Sequence, residues 1–376
     1  MVAINRNPFP VSAYQGAEYF CDREEELQFI TNAVLNGESV TLMAIRRMGK
    51  TGLIHHFKAN KPNGVEVIYV DILDTENMSD FLNKLSSAIL SQFKESSGIG
   101  TKIWKFIKTL RPTLTFDPLT GSPQASFSAV PDDVFSNIES VLQFLEQQQV
   151  TIVIAIDEFQ QILQYQEQNV DAWLRTKVQT LKNIRFIFSG SQQHLMTELF
   201  ANPARPFYRS TAFLRLQKIN KDTYSKFIRA QFSKHNRKIS KKITDEILDW
   251  TEAHTYYVQQ LCNRIYASGI KGITEKEWRQ QAANLLNEQE MLFFSFRNML
   301  AKNQWNLLKA ISKEGIVYQP TSSAFIKKYN LSSSASVLKA IKRIVEIGLV
   351  YKNFDTEGRE YYSMYDVFFK RWSELK

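Results

Sequence analysis

SVTLMAIRRMGKTGLIHHFKAN (Ser39–Asn60) is the stretch whose reading decides the fold. Ser39–Ile45 is a short β-prone run, and TGLIHHFKAN from Thr51 reads as a helix. Between them AIRRMGKT (Ala44–Thr51) fits the phosphate-loop pattern G-x-x-x-x-G-K-[ST] in its required strand-to-helix context. Chemistry accounts for the pattern. Successive backbone N–H groups of Ala44, Ile45, Arg46, Arg47, Met48 and Gly49, with the helix N-terminus at Gly52, can hold a phosphate. Lys50 can reach between β- and γ-phosphates, and the Thr51 hydroxyl can ligate Mg²⁺. Gly49 lets the backbone approach closely. The first glycine of the pattern is replaced by Ala44. If that position requires φ > 0, alanine costs on the order of 1 kcal/mol. Arg46 and Arg47 would contact phosphate or pair with acidic groups of a neighbouring domain or subunit. His55 and His56 read as ordinary helix residues.

A second motif lies 106 residues beyond Thr51: VTIVIAIDEF ends an apolar strand in Asp157 and Glu158. Two adjacent carboxylates leaving a buried strand are costly without a cation or hydrogen-bond donors. Asp157 suits the Mg²⁺ shell, and Glu158 suits a general base acting on water. Either motif alone has a bland reading, a chance GKT or a capped strand exit. Their order and context together imply binding of ATP or ADP with Mg²⁺.

Outward from these motifs the N-terminal part alternates strands and helices. Arg23–Gly37 reads as a helix, Val65–Leu73 as a strand, Met78–Lys94 and Asp133–Gln149 as helices, Ala172–Lys182 as a helix and Ile184–Ser191 as a strand. Four nearly continuous apolar strands separated by helices predict a parallel sheet covered on both faces, an α/β fold. Gly98–Pro131 is rich in Thr, Ser and Pro and reads as an irregular excursion. From Lys221 to about Asn287 the pattern is helical. Beyond it come helices at Met299–Lys313, Ser323–Lys328 and Ser334–Ile347, then the β-prone pieces GLVYKNF and REYYSMY joined by DTEG, the order of a winged helix. The expected domains are an ATPase core over 1–218, a helical lid over 219–290 and a winged-helix domain over 291–376.

Composition agrees with a folded protein. The chain has 376 residues, too many for one ordinary core, with 44% hydrophobic and 23% charged residues. Two cysteines, Cys21 and Cys262, are too few for a disulfide framework and too far apart for a local metal motif, and no stretch reaches the roughly 18 apolar residues that span a bilayer. A cytoplasmic protein without a membrane partner is expected. The net charge is +9, and Arg297–Lys376 carries 14 Lys and Arg against 7 Asp and Glu. That balance predicts either an anionic partner, nucleic acid first, or a solvated basic surface.

These motifs resemble those of the AAA-type ATPases of the archaeal and bacterial group related to STAND signalling ATPases. FCDREEEL (Phe20–Leu27), IRRMGKTGLI, IAIDEFQ, IFSGSQQHLM, RPFYRST (Arg205–Thr211), HTYYVQQLC (His254–Cys262) and YDVFFKRW (Tyr365–Trp372) carry the resemblance over nearly the whole chain. It implies an ATPase core followed by a helical lid and a winged helix. It also implies Ser191 as a polar sensor of the γ-phosphate, Arg209 or else Arg205 as an arginine finger, and Phe20 and Arg23 near the adenine. The turn His254–Tyr256, where the group often has Gly and Pro, instead carries Thr255 and Tyr256.

In the C-terminal module Ser332–Ser334 offer helix N-caps, and Val337, Ile341, Ile344 and Val345 make an apolar face. Lys339, Lys342 and Arg343 lie toward the other face, as on a helix that enters a DNA groove. Two functions are therefore expected to compete: a slow ATP-hydrolysing switch that acts on a protein partner or on copies of itself, and a DNA-binding adaptor with structural nucleotide.

Overall fold

The computed structural model describes residues 7–127, 131–355 and 357–376. They form two compact units, Ala13–Gln217 and a second unit of Lys218–Lys376 together with the described residues 7–12.

The first unit runs α1 (Glu24–Leu35), β1 (Val40–Met43), α2 (Lys50–Ala59), β2 (Val65–Asp71), α3 (Met78–Gln92), α4 (Gly98–Thr109), β3 (Thr113–Phe116), β4 (Pro123–Ser126), α5 (Pro131–Glu146), β5 (Thr151–Asp157), α6 (Val170–Thr180), β6 (Ile184–Gly190), α7 (Gln193–Ala201) and β7 (Ala212–Arg215). The sheet order is β2-β5-β6-β1-β7, with every neighbouring pair parallel. Alternation along the strands divides their side chains between two cores, as expected for a sheet buried on both faces. Ile68, Val70, Ile152, Ile154, Ile156, Phe186 and Phe188 pack on one side with α3–α7. Val40, Leu42, Val67, Val153, Ala155 and Ile187 pack on the other with α1 and α2.

Two expectations change. The sheet has five strands: β7, only four residues long and half exposed, pairs with β1 from Val40↔Ala212 to Met43↔Arg215. So short a piece carries no decisive apolar pattern. The stretch read as an irregular excursion contains a helix and a hairpin instead. Ile103, Trp104 and Ile107 of α4 are buried, as are Ala125 and Phe127, and the Trp104 indole donates to the Phe93 carbonyl at 2.8 Å. The apolar residues of α4 recur at helical spacing, which the neighbouring Thr, Ser and Pro obscured. Residues 128–130 of that stretch lie outside the described ones.

The second unit begins with α8 (Lys221–Lys234), β8 (Lys238–Ile239), α9 (Lys241–Trp250), α10 (Thr255–Ala267), β9 (Gly272–Ile273) and α11 (Glu275–Glu288). It continues through α12 (Glu290–Asn298), α13 (Lys302–Glu314), α14 (Ser323–Lys328), α15 (Ser334–Glu346), β10 (Val350–Phe354), β11 (Glu360–Met364) and α16 (Val367–Glu374). The helix expected at Met299–Lys313 starts later, at Lys302, because α12 ends just before it. β10 and β11 pair antiparallel from Val350↔Met364 to Phe354↔Glu360, forming the wing. Lys370 of α16 bonds Glu252 in the turn after α9, and Arg371 donates to the carbonyls of Trp250 and Asp249. Among the described residues no helix is long and apolar enough to cross a membrane.

Candidate nucleotide site

The phosphate loop joins the buried end of β1 to α2. Its two left-handed residues are Arg47 (φ 66°) and Gly49 (φ 97°), and Ala44 is not among the positive-φ residues. The strain conjectured for alanine at the first glycine position is therefore absent; Ala44 is fully buried in the core between β1 and α1–α2. Gly49 is the N-cap of α2 and supplies no side chain to its free N–H groups, leaving them available for an anion. Ile45 is half-buried and Met48 buried, whereas Arg46 and Arg47 are exposed.

Lys50, the first residue of α2, is only 5% exposed and has no ion-pair partner among the described residues. Burial holds its pKa below the ordinary lysine value, Arg46 adds to that, and Asp157 and Glu158 pull the other way. Thr51 donates its hydroxyl proton to Asp157 Oδ2 at 2.6 Å. The same oxygen accepts from the Tyr69 hydroxyl at 3.1 Å, and Asp157 Oδ1 accepts from the Glu158 amide at 3.1 Å. Asp157 is 3% exposed, so these donors compensate its burial.

Glu158 follows β5 with φ 55°. Its Oε2 accepts from Ser191 Oγ and from Gln160 Nε2, each at 2.7 Å. Ser191 therefore contacts the carboxylate expected to act as base. Gln160 is buried and its Oε1 lacks a hydrogen-bond partner among the described residues. Gly190, last residue of β6, makes room for it: a Cβ there would lie 2.4 Å from Gln160 Oε1 and 2.4 Å from Met196 Sδ. This glycine is needed for space.

The sequence reading did not single out Tyr69, Asp71 and Gln160, which stand beside these groups, and it took His56 as an ordinary helix residue. Tyr69 and Asp71 stand at the end of β2, whose register pairs Asp71 with Asp157. Burial raises the Asp71 pKa, the nearby Asp157 and Glu158 raise it further, and the Leu73 amide opposes them. Gln160 lies just past the acidic pair. His56 stacks on Phe20 with centroids 4.5 Å apart and is hydrogen-bonded to the Tyr14 hydroxyl at 2.8 Å. Only the alternate spacing of Tyr69 and Asp71 on one strand face was available as a signal, and it does not say which strand lies beside β2.

Phe20 also rests against Gly52, where an added Cβ would be 3.2 Å from its ring. Arg23 is fixed elsewhere: it is 4% exposed, its guanidinium bonds Glu26 at 2.6 Å and the Gln217 carbonyl at 2.7 Å. Its donors tie α1 to the end of the unit, so an adenine contact would have to displace them.

Arg209 is not brought to Lys50. It lines a cavity of about 430 Å³ with Arg175, Arg185, Glu38 and Ser39 at the N-terminal ends of β1, β6 and β7. Parallel strands put residues that precede β7 at the sheet end opposite to those that follow β1, so within one chain Arg209 cannot serve this site. Arg205 is engaged by Glu198 at 3.0 Å and Asp171 at 3.6 Å. The turn before α10, where Glu252 and Ala253 both have positive φ and His254 is buried, belongs to the second unit.

The residues present fit a Mg²⁺-bound nucleoside triphosphate. An uncapped helix N-terminus and a buried lysine without a counter-ion suit phosphate, while Thr51 and Asp157 offer two oxygens to a hard cation. Among the described residues no group of three or more His, Cys, Asp and Glu could hold a metal.

Proteins of known structure share this fold. The chain spans 97% of its length in a match to 99% of the Walker-type ATPase of Pyrococcus abyssi, at 16% identity and TM-score 0.65. It matches the ORC2 protein of Aeropyrum pernix, in its ADPNP–ADP complexes, over 99% of each chain at 12% identity and TM-score 0.57. At these identities the likeness concerns the fold. No curated protein sequence matches. Residues 291–375 match the family described as a probable winged helix domain. Residues 20–261 match the ATPase domain predominantly from Archaea, the P-loop family to which this chain belongs.

Proposed function

We propose that the chain is an ATP-hydrolysing switch whose nucleotide state controls a partner through its second unit. The observation that carries this reading is the 2.6 Å bond from Thr51 to Asp157, which brings the phosphate loop and the acidic strand end to one point. Lys50 would bind the β- and γ-phosphates with the N–H groups of the loop. Thr51 and Asp157 would hold Mg²⁺, which neutralises phosphate charge when bound. Glu158 would take a proton from water at Oε1 or Oε2, its carboxylate oriented by Ser191 and Gln160. A nucleotide-bound relative of the same fold, the ORC2 protein with ADPNP and ADP, supports the nucleotide assignment. An arginine finger, if Arg209 provides it, would serve the nucleotide of a neighbouring copy.

Steady-state phosphate release by the wild type and by Glu158→Gln tests the proposal. Turnover that is absent in wild type while ATP binds would overturn hydrolysis and favour structural nucleotide.

The adaptor reading keeps one observation of its own. On α15 the side chains of Lys339, Lys342 and Arg343 are exposed opposite the buried Val337, Ile341 and Ile344. Arg343 has Glu346 at 3.7 Å. Changing all three to Glu should abolish whatever duplex-DNA binding this helix provides while leaving the apolar face intact.

A further inference from the structure

The second unit holds a cavity that neither the nucleotide site nor α15 uses. It is about 820 Å³ in volume and is lined by Lys226, Arg229, Arg237 and Lys238 with no carboxylate. Ser240 and Thr274 also line it, and they are the N-caps of α9 and α11. Those helices follow β8 and β9, which pair in parallel as Lys238↔Gly272 and Ile239↔Ile273. Two strand-to-helix turns thus run side by side, and the two helices begin at the same edge of the cavity. The Ser240 hydroxyl caps α9, whose dipole adds to the field of the four side chains, whereas the N-terminus of α11 is capped by the Glu277 carboxylate through Thr274.

Glu277 at the N-terminus of α11 is the acid beside this cavity, and it is spent on Thr274. Lys221, Lys241, Lys242, Arg264 and Arg279 on the same helical region are each ion-paired. None of Lys226, Arg229, Arg237 and Lys238 forms a salt bridge among the described residues, although Asp245 faces Arg229 from α9 at longer range. Arg229 Nε is buried without a hydrogen-bond partner. Arg237 is oriented by the Tyr266 ring, 3.8 Å from its guanidinium carbon, and by a bond to the Tyr266 carbonyl. Cations gathered without ion-pair partners repel one another, and an anion that joins them relieves that cost.

We propose that this cavity binds the phosphodiester backbone of a nucleic acid. The lining contains no aromatic ring to stack a base and no carboxylate to hold a ribose, so the recognisable group is phosphate. The volume exceeds what one phosphate fills, and exposed Lys226 and Lys238 leave room for a continuing chain. Recognition is by charge, independent of sequence. It rests on neither the ATPase reading nor the basic face of α15.

The test uses the full chain and a fluorescein-labelled DNA duplex, followed by anisotropy over a series of salt concentrations. Lys226→Glu with Lys238→Glu removes two exposed, unpaired cations from the cavity. Lys102→Glu with Lys105→Glu, on the exposed side of α4, makes the same charge change elsewhere. The cavity pair should weaken binding at least tenfold at low salt and make the log–log salt slope shallower by about two, the expectation for two lost phosphate contacts. The α4 pair should change affinity less than about threefold, and ATP binding should be unchanged in both. Equal losses in the two pairs, an unchanged slope in the cavity pair, or no binding by wild type would overturn the proposal. So would displacement of DNA from the cavity by poly-glutamate at equal charge concentration, which would assign it to an acidic protein.

Discussion

Ser191 Oγ stands 2.7 Å from Glu158 Oε2 and donates to it, linking the ends of two neighbouring parallel strands. Gln160 Nε2 donates to the same oxygen at the same distance, so the carboxylate is held from two sides before any substrate arrives. A carboxylate proposed as base and held in this way is oriented, at the cost of having its charge partly satisfied in the resting state. Release of one donor on ATP binding would free a lone pair for water.

Lys50→Ala should lower ATP affinity by roughly 10- to 150-fold, the worth of a charge-assisted contact of about 1.5–3 kcal/mol. Calorimetric titration checks this, and unchanged affinity would remove Lys50 from the phosphate contacts. Lys50→Met should also raise the melting temperature of the nucleotide-free protein, because a desolvated cation without a partner is replaced by an apolar chain. The pH dependence follows with a definite sign. A lysine whose folded pKa is depressed binds fewer protons folded than unfolded between the two pKa values. Stability of the wild type relative to Lys50→Met should therefore rise as pH climbs through that window toward 10.5.

Glu158→Gln should cut turnover by about 10²–10⁴-fold with ATP affinity nearly unchanged. Ser191→Ala leaves the base in place with one donor fewer and should lower kcat less than Glu158→Gln. Single-turnover phosphate release, which excludes product dissociation, separates the two. Equal loss in both variants would assign the chemistry to Ser191 as much as to Glu158.

Gly190→Ala places a methyl group 2.4 Å from both Gln160 Oε1 and Met196 Sδ. Overpacking should cost about 1–3 kcal/mol in denaturant titration. Because Gln160 must move, kcat should fall as well. Gln160→Ala in the same chain should recover only part of the stability, because the clash with Met196 remains, and should leave kcat low.

Glu252 in the second unit pairs with buried Lys370 and lies 3.8 Å from Lys218. Burial pushes its carboxyl pKa up, but Lys370 and Lys218 outweigh it and hold the pKa below the usual 4.5. A depressed carboxylate contributes stability that is complete above 4.5 and is lost as pH falls through the lower, folded value. Glu252→Gln should therefore destabilise the neutral protein by on the order of 3 kcal/mol, by stranding Lys370, and should flatten the acid limb of its stability curve. Adding Lys370→Met should restore much of the loss. Melting curves between pH 3 and 7 measure both effects.

What the sequence determined by itself is the local chemistry. A glycine–lysine–threonine loop between a β-prone run and a helix, and an Asp–Glu pair ending an apolar strand, marked out the phosphate loop and the side chains proposed for the cation and the base, because those depend on contiguous residues and on periodicity. The hairpin and helices of the winged domain were legible for the same reason. Tertiary structure decided which distant residues share a point. Asp157 meets Thr51 only because β5 and β1 flank β6, and that same order puts Ser191 beside Glu158 and Tyr69 beside Asp157. It also carried Arg209 to the far edge of the sheet and bound Arg23 to Gln217. Strand order and direction are set by long-range packing of two apolar faces, which no local spacing encodes; the helix that buries Trp104 did carry a local spacing, masked by the Thr, Ser and Pro around it.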